Sequence, residues 1–212
     1  CLSIAKEIAA RKLENYRFLF KQKSGTGGSD FVRELDEMTG AVHHAGNVSG
    51  VRGVEGQAAR KIYRQLNDLI KFPVFHLRKR SRHQPDRINS LLNFSSYLLF
   101  SRINATVRAL GLNPYLGFLH SPGNKYESLV CDIQELFRAH IHRLILRCIN
   151  LQIIKEDDFT ESKNGCYLTR EAVKKFLNQF EREIAQKPNK HSLSLKQHIY
   201  IQATVIKNWV LE

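Results

Sequence analysis

A long apolar helix between Pro85 and about Leu110 is the feature of this sequence that most constrains its fold. The apolar residues at helical spacing are Ile88, Leu92, Leu99, Ile103, Val107 and Leu110, and those that widen the apolar surface nearly all round are Leu91, Phe94, Leu98 and Phe100. A helix that is apolar on all sides is typically buried at the centre of a domain. No segment shows a convincing strand pattern. The sequence therefore predicts an all-α fold, a multi-helix domain built around this long buried central helix.

Helical apolar spacing predicts further elements on both sides of the central helix. A connector rich in glycine and serine, residues 21–30, separates the first two predicted helices. Asp157–Tyr167 is predicted to be a polar connection. The predicted helices cover residues 1–22, about 31–42, about 55–66, the segment after Pro122 to about residue 154, a helix capped by Thr169, and a final helix from Leu195 to Val210.

The segment Gly111–Arg138 combines a histidine, a turn and two carboxylates. His120 ends an apolar run, and Ser121–Asn124 is a strong turn signal. In the helix that follows, Asp132 and Glu135 are three residues apart and share a face. One imidazole with two carboxylates suits Mg²⁺ or Mn²⁺ better than a structural zinc ion. The alternative is that the two acidic residues form a solvated helix face.

A third carboxylate, Glu55, lies in the motif GVEGQAAR at residues 53–60. Five glycines between Gly40 and Gly56 predict an irregular segment, after which a helix begins with Glu55 in its first turn. A carboxylate there is favoured by the helix dipole, so Glu55 has a capping role as its alternative to metal binding. Arg60 could pair with a carboxylate or with a phosphate, and both options remain open.

The charge of the chain predicts a polyanionic partner. Lys and Arg total 33 against 20 Asp and Glu, a formal net charge of +13 with a pI near 9.8. The positive charge is densest in HLRKRSRHQPDR, residues 76–87, where it is opposed only by Asp86; its basic residues are Arg78, Lys79, Arg80, Arg82 and Arg87. Charges packed this closely repel one another unless an anion neutralises them, although a solvated loop is the alternative.

The cysteines and the apolar runs bear on where the chain works. Cys1, Cys131, Cys148 and Cys166 show no CxxC pairing, which argues against a zinc knuckle or a disulfide framework and favours reduced thiols in the cytoplasm. No apolar run approaches the ~18 residues that a membrane span needs, so no membrane partner is expected. The chain opens at Cys1 in helix-like sequence, which predicts that an N-terminal portion precedes it in the intact protein.

Three ordered motifs carry a resemblance to a known family: GVEGQAAR, PDRINSLLNFSSYLLF, and GLNPYLGFLH followed by ESLVCDIQELFR. They closely resemble the CRISPR-associated endonuclease and integrase family that acquires spacers (Cas1). CYLTREAVKKFLNQFE and SLKQHIYIQA are similar to the C-terminal helices of that family. The resemblance covers essentially all 212 residues. It implies that residues 1–212 form the family's helical catalytic lobe, and that the usual β-rich N-terminal lobe is not in this chain.

The resemblance also implies an activity and a site. Glu55, His120 and Glu135 fall on the family's divalent-metal ligands, for Mg²⁺ or Mn²⁺, and Asp132 falls on an accompanying active-site acid. The implied reaction is attack on a phosphodiester by a DNA 3′-hydroxyl during integration, or by water during cleavage. The basic residues expected to bind DNA are Arg60, Arg78, Lys79, Arg80, Arg82, Arg87, Lys125 and Arg138.

The implied partners are the spacer precursor, the CRISPR repeat, a second copy of the protein in the intact homodimer, and a small bridging protein (Cas2). Two alternatives to the enzyme remain. One is a non-catalytic helical module that binds nucleic acid and whose carboxylates are structural. The other is an interaction lobe that is active only beside parts of the protein outside this chain.

Overall fold

The computed structural model describes residues 1–23, 29–83, 85–120 and 126–211, and the predicted all-α fold class is confirmed for them. The predicted turn at Ser121–Asn124, the predicted DNA contact Lys125 and the middle of the first connector lie outside the described residues. The helices in this part of the chain are α1 (Leu2–Lys23), α2 (Ser29–His44), α3 (Val48–Asn67), α4 (Arg87–Ala109), α5 (Ser128–Glu135), α6 (Arg138–Asn150), α7 (Arg170–Ala185) and α8 (Leu195–Leu211).

A small β-hairpin forms where a polar connection was predicted. Strand β1 (Phe159–Ser162) pairs antiparallel with β2 (Gly165–Leu168), in a register that places Thr160 opposite Tyr167. Each strand has only four residues and most of their side chains are exposed, so they carry no apolar alternation that would predict a strand.

The chain divides into two compact units. The first comprises Cys1–Ile62, Leu99–His140 and Ile201–Glu212, and in it α1 packs against α2 and α5. The buried stripe of α1 is the predicted one, and its members are Ala5, Ala9, Leu13, Tyr16 and Phe20. The rings of Phe20 and Phe31 meet edge to face with their centroids 4.9 Å apart, which joins α1 to α2.

The prediction of an irregular segment between Gly40 and Gly56 is wrong, because α2 runs to His44 and α3 begins at Val48. Asn47 Oδ1 accepts a hydrogen bond from Gly50 N at 2.9 Å, the pattern of an N-terminal cap. Buried residues farther along α3 then hold the helix despite its glycines. Glu55 consequently lies two turns inside α3, beyond the first turn in which a carboxylate acts as a cap.

The helix that carries Asp132 and Glu135 was predicted to continue to about residue 154, but it breaks after Glu135. The N–H groups of Leu136 and Phe137 bond to carbonyls only three residues back, a tightened turn that ends α5. Asn15 Nδ2 from α1 donates to the Leu136 carbonyl oxygen at 2.8 Å. This bond takes up a carbonyl that a continuous helix would have used internally.

The second unit comprises Tyr63–Leu98 and Ile141–Tyr200. Thr169 caps α7 as predicted, since its hydroxyl accepts a hydrogen bond from Ala172 N. Phe176 on α7 packs against Phe94 on α4, with ring centroids 5.8 Å apart. The α4 helix is more amphipathic than predicted, because Tyr97 is 65% exposed.

Candidate active site

Asp132 on α5 holds the backbone of the loop that carries His120. Its Oδ2 accepts hydrogen bonds from Phe118 N at 2.5 Å and from Leu119 N at 3.0 Å, and its Oδ1 accepts one from His120 N at 2.9 Å. The carboxylate is fully buried, and three backbone donors satisfy it there. Asp132 therefore fixes three consecutive residues of the loop.

The same carboxylate orients the His120 ring. His120 Nδ1 lies 2.7 Å from Asp132 Oδ1, and since a carboxylate accepts, the geometry assigns the proton to Nδ1. That tautomer leaves Nε2 as the nitrogen that can bind a metal ion or accept a proton. Asp132 acts through His120 in this arrangement, because its oxygens are already occupied by loop donors.

Ser128 and Gly117 bring the loop close to the start of α5. Ser128 Oγ donates to the Tyr115 carbonyl at 2.6 Å and accepts from Gly117 N at 2.9 Å. A side chain at position 117 would place its Cβ 2.8 Å from the Ser128 carbonyl carbon and 2.9 Å from Asp132 Oδ2. Only glycine permits this approach. No sequence pattern had pointed to Gly117.

Arg52 links the loop to α3. Its Nε donates to the carbonyl oxygen of Leu119 at 2.5 Å, immediately before His120. Arg52 and Glu55 are three residues apart on α3, so they lie on neighbouring turns of one face. The contact therefore ties the helix that carries Glu55 to the loop that carries His120.

Lys12 on α1, which belongs to none of the sequence motifs, joins the other two predicted ligands, Glu55 and Glu135. Its ammonium group contacts Glu55 Oε1 and lies 2.6 Å from Glu135 Oε2, while its side chain is only 5% exposed. Glu135 Oε2 is buried, and Lys12 is its ion-pair partner, although the geometry of this contact is not that of a hydrogen bond. Lys12 lies at helical spacing between the buried residues Ile8 and Tyr16, so it faces the interior of the unit, but a lysine at that spacing is not by itself a sequence signal.

The charges of this cluster stabilise one another. Burial alone would raise the pKa of Glu135, but Arg138 first and then Lys12 outweigh it and bring the pKa to about 2, with a smaller contribution from His120. Burial alone would lower the pKa of Lys12, but Glu135 and Glu55 raise it above its ordinary value. Lys12 and Glu135 are therefore both ionised at neutral pH.

The donor set fits a divalent cation. Oxygens of Glu55 and Glu135 both contact the Lys12 ammonium, so the two carboxylates already bind one cationic group between them. Two carboxylates and an imidazole are ligands that Mg²⁺ and Mn²⁺ accept. In the described part of the chain, no three His, Cys, Asp or Glu side chains are yet close enough to hold a metal ion. The structure thus brings Glu55 and Glu135 to one cation, while His120 pairs with Asp132, three residues before Glu135 on α5.

Comparison with known proteins shows the family of the chain. The family model described as CRISPR associated protein Cas1 matches residues 1–182. The chain belongs to the Cas1 family. A CRISPR-associated endonuclease Cas1 from Clostridium perfringens is 31% identical over 170 residues, which is 78% of this chain and 50% of that protein. The chain thus spans about half the length of this curated relative.

Solved structures of the family show the same fold. A Cas1 protein from Thermotoga maritima superposes with a TM-score of 0.90 at 25% identity, over 99% of this chain and 66% of that one. A chain of a partial Cas6-RT-Cas1–Cas2 complex superposes with a TM-score of 0.87 at 28% identity, over 98% of this chain and 64% of that one.

In this Cas1 family member, Asn89 anchors the basic segment to α4. This buried side chain accepts hydrogen bonds from Ser81 N at 2.8 Å and from Arg80 Nη1 at 3.1 Å. It donates to the Lys79 carbonyl at 2.9 Å. Asp86 caps α4 by accepting from Asn89 N at 2.8 Å. The segment is therefore bound to a helix end, and the alternative of a solvated loop describes only its exposed side chains.

The basic residues predicted to bind DNA differ in their surroundings. Arg80 bonds to Asn89, Arg87 pairs with Glu156 and Glu161, and Arg138 pairs with Glu135. The predicted contacts whose side chains are exposed are Arg60, Arg78, Lys79 and Arg82. Among the residues that the structure describes, no helix has the length and apolarity needed to cross a membrane.

Proposed function

We propose that this chain supplies the catalytic lobe, residues 1–212, of a divalent-metal-dependent DNA endonuclease and integrase that inserts spacers during CRISPR adaptation. The observation that carries the proposal is the convergence of Glu55 and Glu135 on one buried cation, close to a histidine that a carboxylate orients. In a module that only bound nucleic acid, the same two acidic side chains would serve as structural partners of Lys12 and would have no metal to bind.

Each residue of the site has a distinct task in this proposal. Glu55, Glu135 and His120 Nε2 would hold Mg²⁺ or Mn²⁺. When bound, the ion polarises the phosphoryl group and stabilises charge on the entering or leaving oxygen. Asp132 keeps His120 in the tautomer that presents Nε2, and Arg52 holds the loop against α3.

The reaction needs no covalent bond to the protein. In integration, the 3′-hydroxyl oxygen of the incoming strand bonds to a phosphorus of the repeat as the bond to the 3′-oxygen of the repeat strand breaks. The proton of the attacking hydroxyl is released to solvent, and the leaving oxygen takes one up. In cleavage, water replaces the hydroxyl.

The proposed partners are the spacer precursor, the repeat DNA, a second copy of the protein in the intact homodimer, and Cas2. A relative with this fold was solved in a complex that contains Cas2. The high positive charge of the chain favours DNA as the ligand, because Lys and Arg that contact phosphates release condensed counterions.

Strand transfer and cleavage test the proposal together. A labelled duplex and a supercoiled plasmid that carries the repeat are incubated with the chain, with and without Cas2, in Mn²⁺ or EDTA. We expect Mn²⁺-dependent DNA cleavage that is lost in Glu135→Ala and retained in the matched control Glu171→Ala on α7, whose side chain is 70% exposed. Efficient transfer is expected only from the intact protein with its partner.

The alternative of a non-catalytic module predicts a different result. In that case the chain would bind DNA, and Glu135→Ala would change neither cleavage nor Mn²⁺ binding. Calorimetry with Mn²⁺ alone separates the two possibilities, since the proposed site binds the ion in the absence of DNA.

A further inference from the structure

We infer that Lys12 is a built-in counterion that occupies the cation position of the site and is displaced when a divalent metal ion binds. The inference rests on the proposed function, and it adds a residue that regulates the metal affinity of the site. It concerns α1, which carries none of the predicted ligands.

The burial of Lys12 is the first observation that supports this role. Lysine is almost never fully buried unless it is paired, and the Lys12 side chain is 5% exposed. Its two partners come from different helices, Glu55 from α3 and Glu135 from α5. Without a cation between them, these two carboxylates would repel one another in a poorly hydrated space.

The position of the ammonium group is the second observation. Lys12 Nζ lies 2.6 Å from Glu135 Oε2 and also contacts Glu55 Oε1. A Mg²⁺ ion bound by carboxylates sits about 2.1 Å from each oxygen, so it would occupy nearly the same position. Two cations cannot share that position, and binding of the ion requires the ammonium group to leave.

The charge balance points the same way. Arg138 Nε lies 2.7 Å from Oε1 of Glu135, opposite the oxygen that Lys12 contacts. Lys12 and Arg138 therefore match the two negative charges of Glu55 and Glu135 in the metal-free state. A divalent ion added without displacement would leave these four side chains and the ion with two excess positive charges, whereas exchange for Lys12 leaves one, and each excess charge is costly in a low-dielectric site.

The lysine side chain can withdraw without movement of its helix. Four rotatable bonds connect its ammonium to the backbone. The backbone of α1 stays in place because Asn15, less than one turn from Lys12, bonds to the Leu136 carbonyl after α5. Exchange of the two cations is therefore a side-chain event.

The test compares Mn²⁺ affinity and metal-free stability in Lys12→Met, Lys12→Arg and the unmodified chain, without DNA. Lys12→Met removes the competing charge, so we expect Mn²⁺ to bind about tenfold more tightly or better. We also expect the metal-free melting temperature to fall and Mn²⁺ to restore it. Lys12→Arg keeps a competing cation and should bind Mn²⁺ no more tightly than the unmodified chain. Lys6→Met on the same helix, where Lys6 bonds to the His43 carbonyl, is the matched control and should leave affinity unchanged.

A second measurement uses the unmodified chain, in case Lys12→Met does not fold. Reductive methylation followed by peptide mass spectrometry reports the exposure of each lysine amine. Lys12 should resist methylation in EDTA and become reactive at saturating Mg²⁺, while the reactivity of Lys6 stays constant. Unchanged protection of Lys12 with metal bound would overturn the inference.

The outcomes separate this inference from the proposed function. If Glu135→Ala abolishes Mn²⁺ binding but Lys12→Met binds Mn²⁺ as the unmodified chain does, the function stands and the counterion role is wrong. If neither the unmodified chain nor Lys12→Met binds Mn²⁺, both proposals fail. Binding only in Lys12→Met would support the inference strongly.

Discussion

His120 Nδ1 lies 2.7 Å from Oδ1 of Asp132, a carboxylate with no exposed surface, and this oxygen also accepts the backbone N–H of His120. One acidic side chain thus fixes both the ring and the main chain of the same residue. A ring held at two points presents its other nitrogen in one direction, which lowers the entropy lost when that nitrogen binds a ligand.

Replacing Asp132 with Asn should weaken Mn²⁺ binding about 10- to 100-fold, the range seen when groups that orient metal ligands are lost. The donors of the His120 loop now share two carboxylate oxygens, whereas an asparagine amide offers only one acceptor oxygen. The free energy of unfolding should therefore fall by about 2 kcal/mol or more. Calorimetry and urea denaturation measure the two effects. Asp157→Asn, at an exposed position, is the control, and an Asp132→Asn variant with unchanged Mn²⁺ affinity would contradict the role given to Asp132.

Two glycines should respond in opposite directions to alanine. Gly117→Ala places a methyl group 2.8 Å from the Ser128 backbone and should destabilise the chain by about 1–3 kcal/mol, since the helix end cannot move aside. Gly53→Ala meets no atom within 4 Å inside α3 and should stabilise it by about 0.5–1 kcal/mol. Thermal denaturation of both variants is the measurement. Equal effects would mean that the close approach at Gly117 is not a constraint.

The exposed part of the basic segment should contribute DNA affinity without sequence preference. Replacing Arg78, Lys79 and Arg82 together with Ala should reduce the slope of log affinity against log salt by about 2–3, because each lost phosphate contact removes nearly one released counterion. Fluorescence anisotropy with two unrelated duplexes should give the same loss for both. The matched control replaces three exposed lysines elsewhere, Lys187, Lys190 and Lys196. A loss confined to one duplex would show base recognition instead.

Acid should remove the contribution of Glu135 to stability. Its pKa in the folded chain is about 2, against an ordinary value of 4.5, so the ionised form stabilises the fold. That contribution is complete above about pH 4.5 and is lost as the pH falls towards 2, because the carboxyl then protonates in the folded state as well. The stability gap between the unmodified chain and Glu135→Gln in EDTA should shrink over this interval. A gap that is constant from pH 6 to pH 2.5 would contradict the assignment.

Local signals in the sequence were enough to predict several elements. The apolar stripe of α1, the Thr169 cap of α7 and the all-α fold class each depend on residues a few positions apart. At the break between α5 and α6 the Leu136 carbonyl bonds to Asn15, a partner far away in the chain that no local pattern could reveal. The helical course of the glycine-rich segment likewise depends on burial of α3 side chains, which outweighs propensity.

For the site, the motifs supplied the predicted ligands Glu55, His120 and Glu135, and their metal-binding roles stay predictions. The residue that physically joins two of them, Lys12, belongs to no acidic or histidine motif. A buried lysine is indistinguishable in sequence from a surface lysine until its partners are known. Arg52 was missed for a similar reason, because it acts on a backbone carbonyl.

The bond from Asn15 to the Leu136 carbonyl spans 121 residues of chain. During synthesis, at about 5–20 residues per second, α1 would exist for roughly ten seconds before the segment that contains Glu135 is made. Throughout that interval Lys12 has no Glu135 with which to pair, and the newly made helix presents its charge to water. The order of translation therefore delays completion of the acidic cluster until α5 emerges.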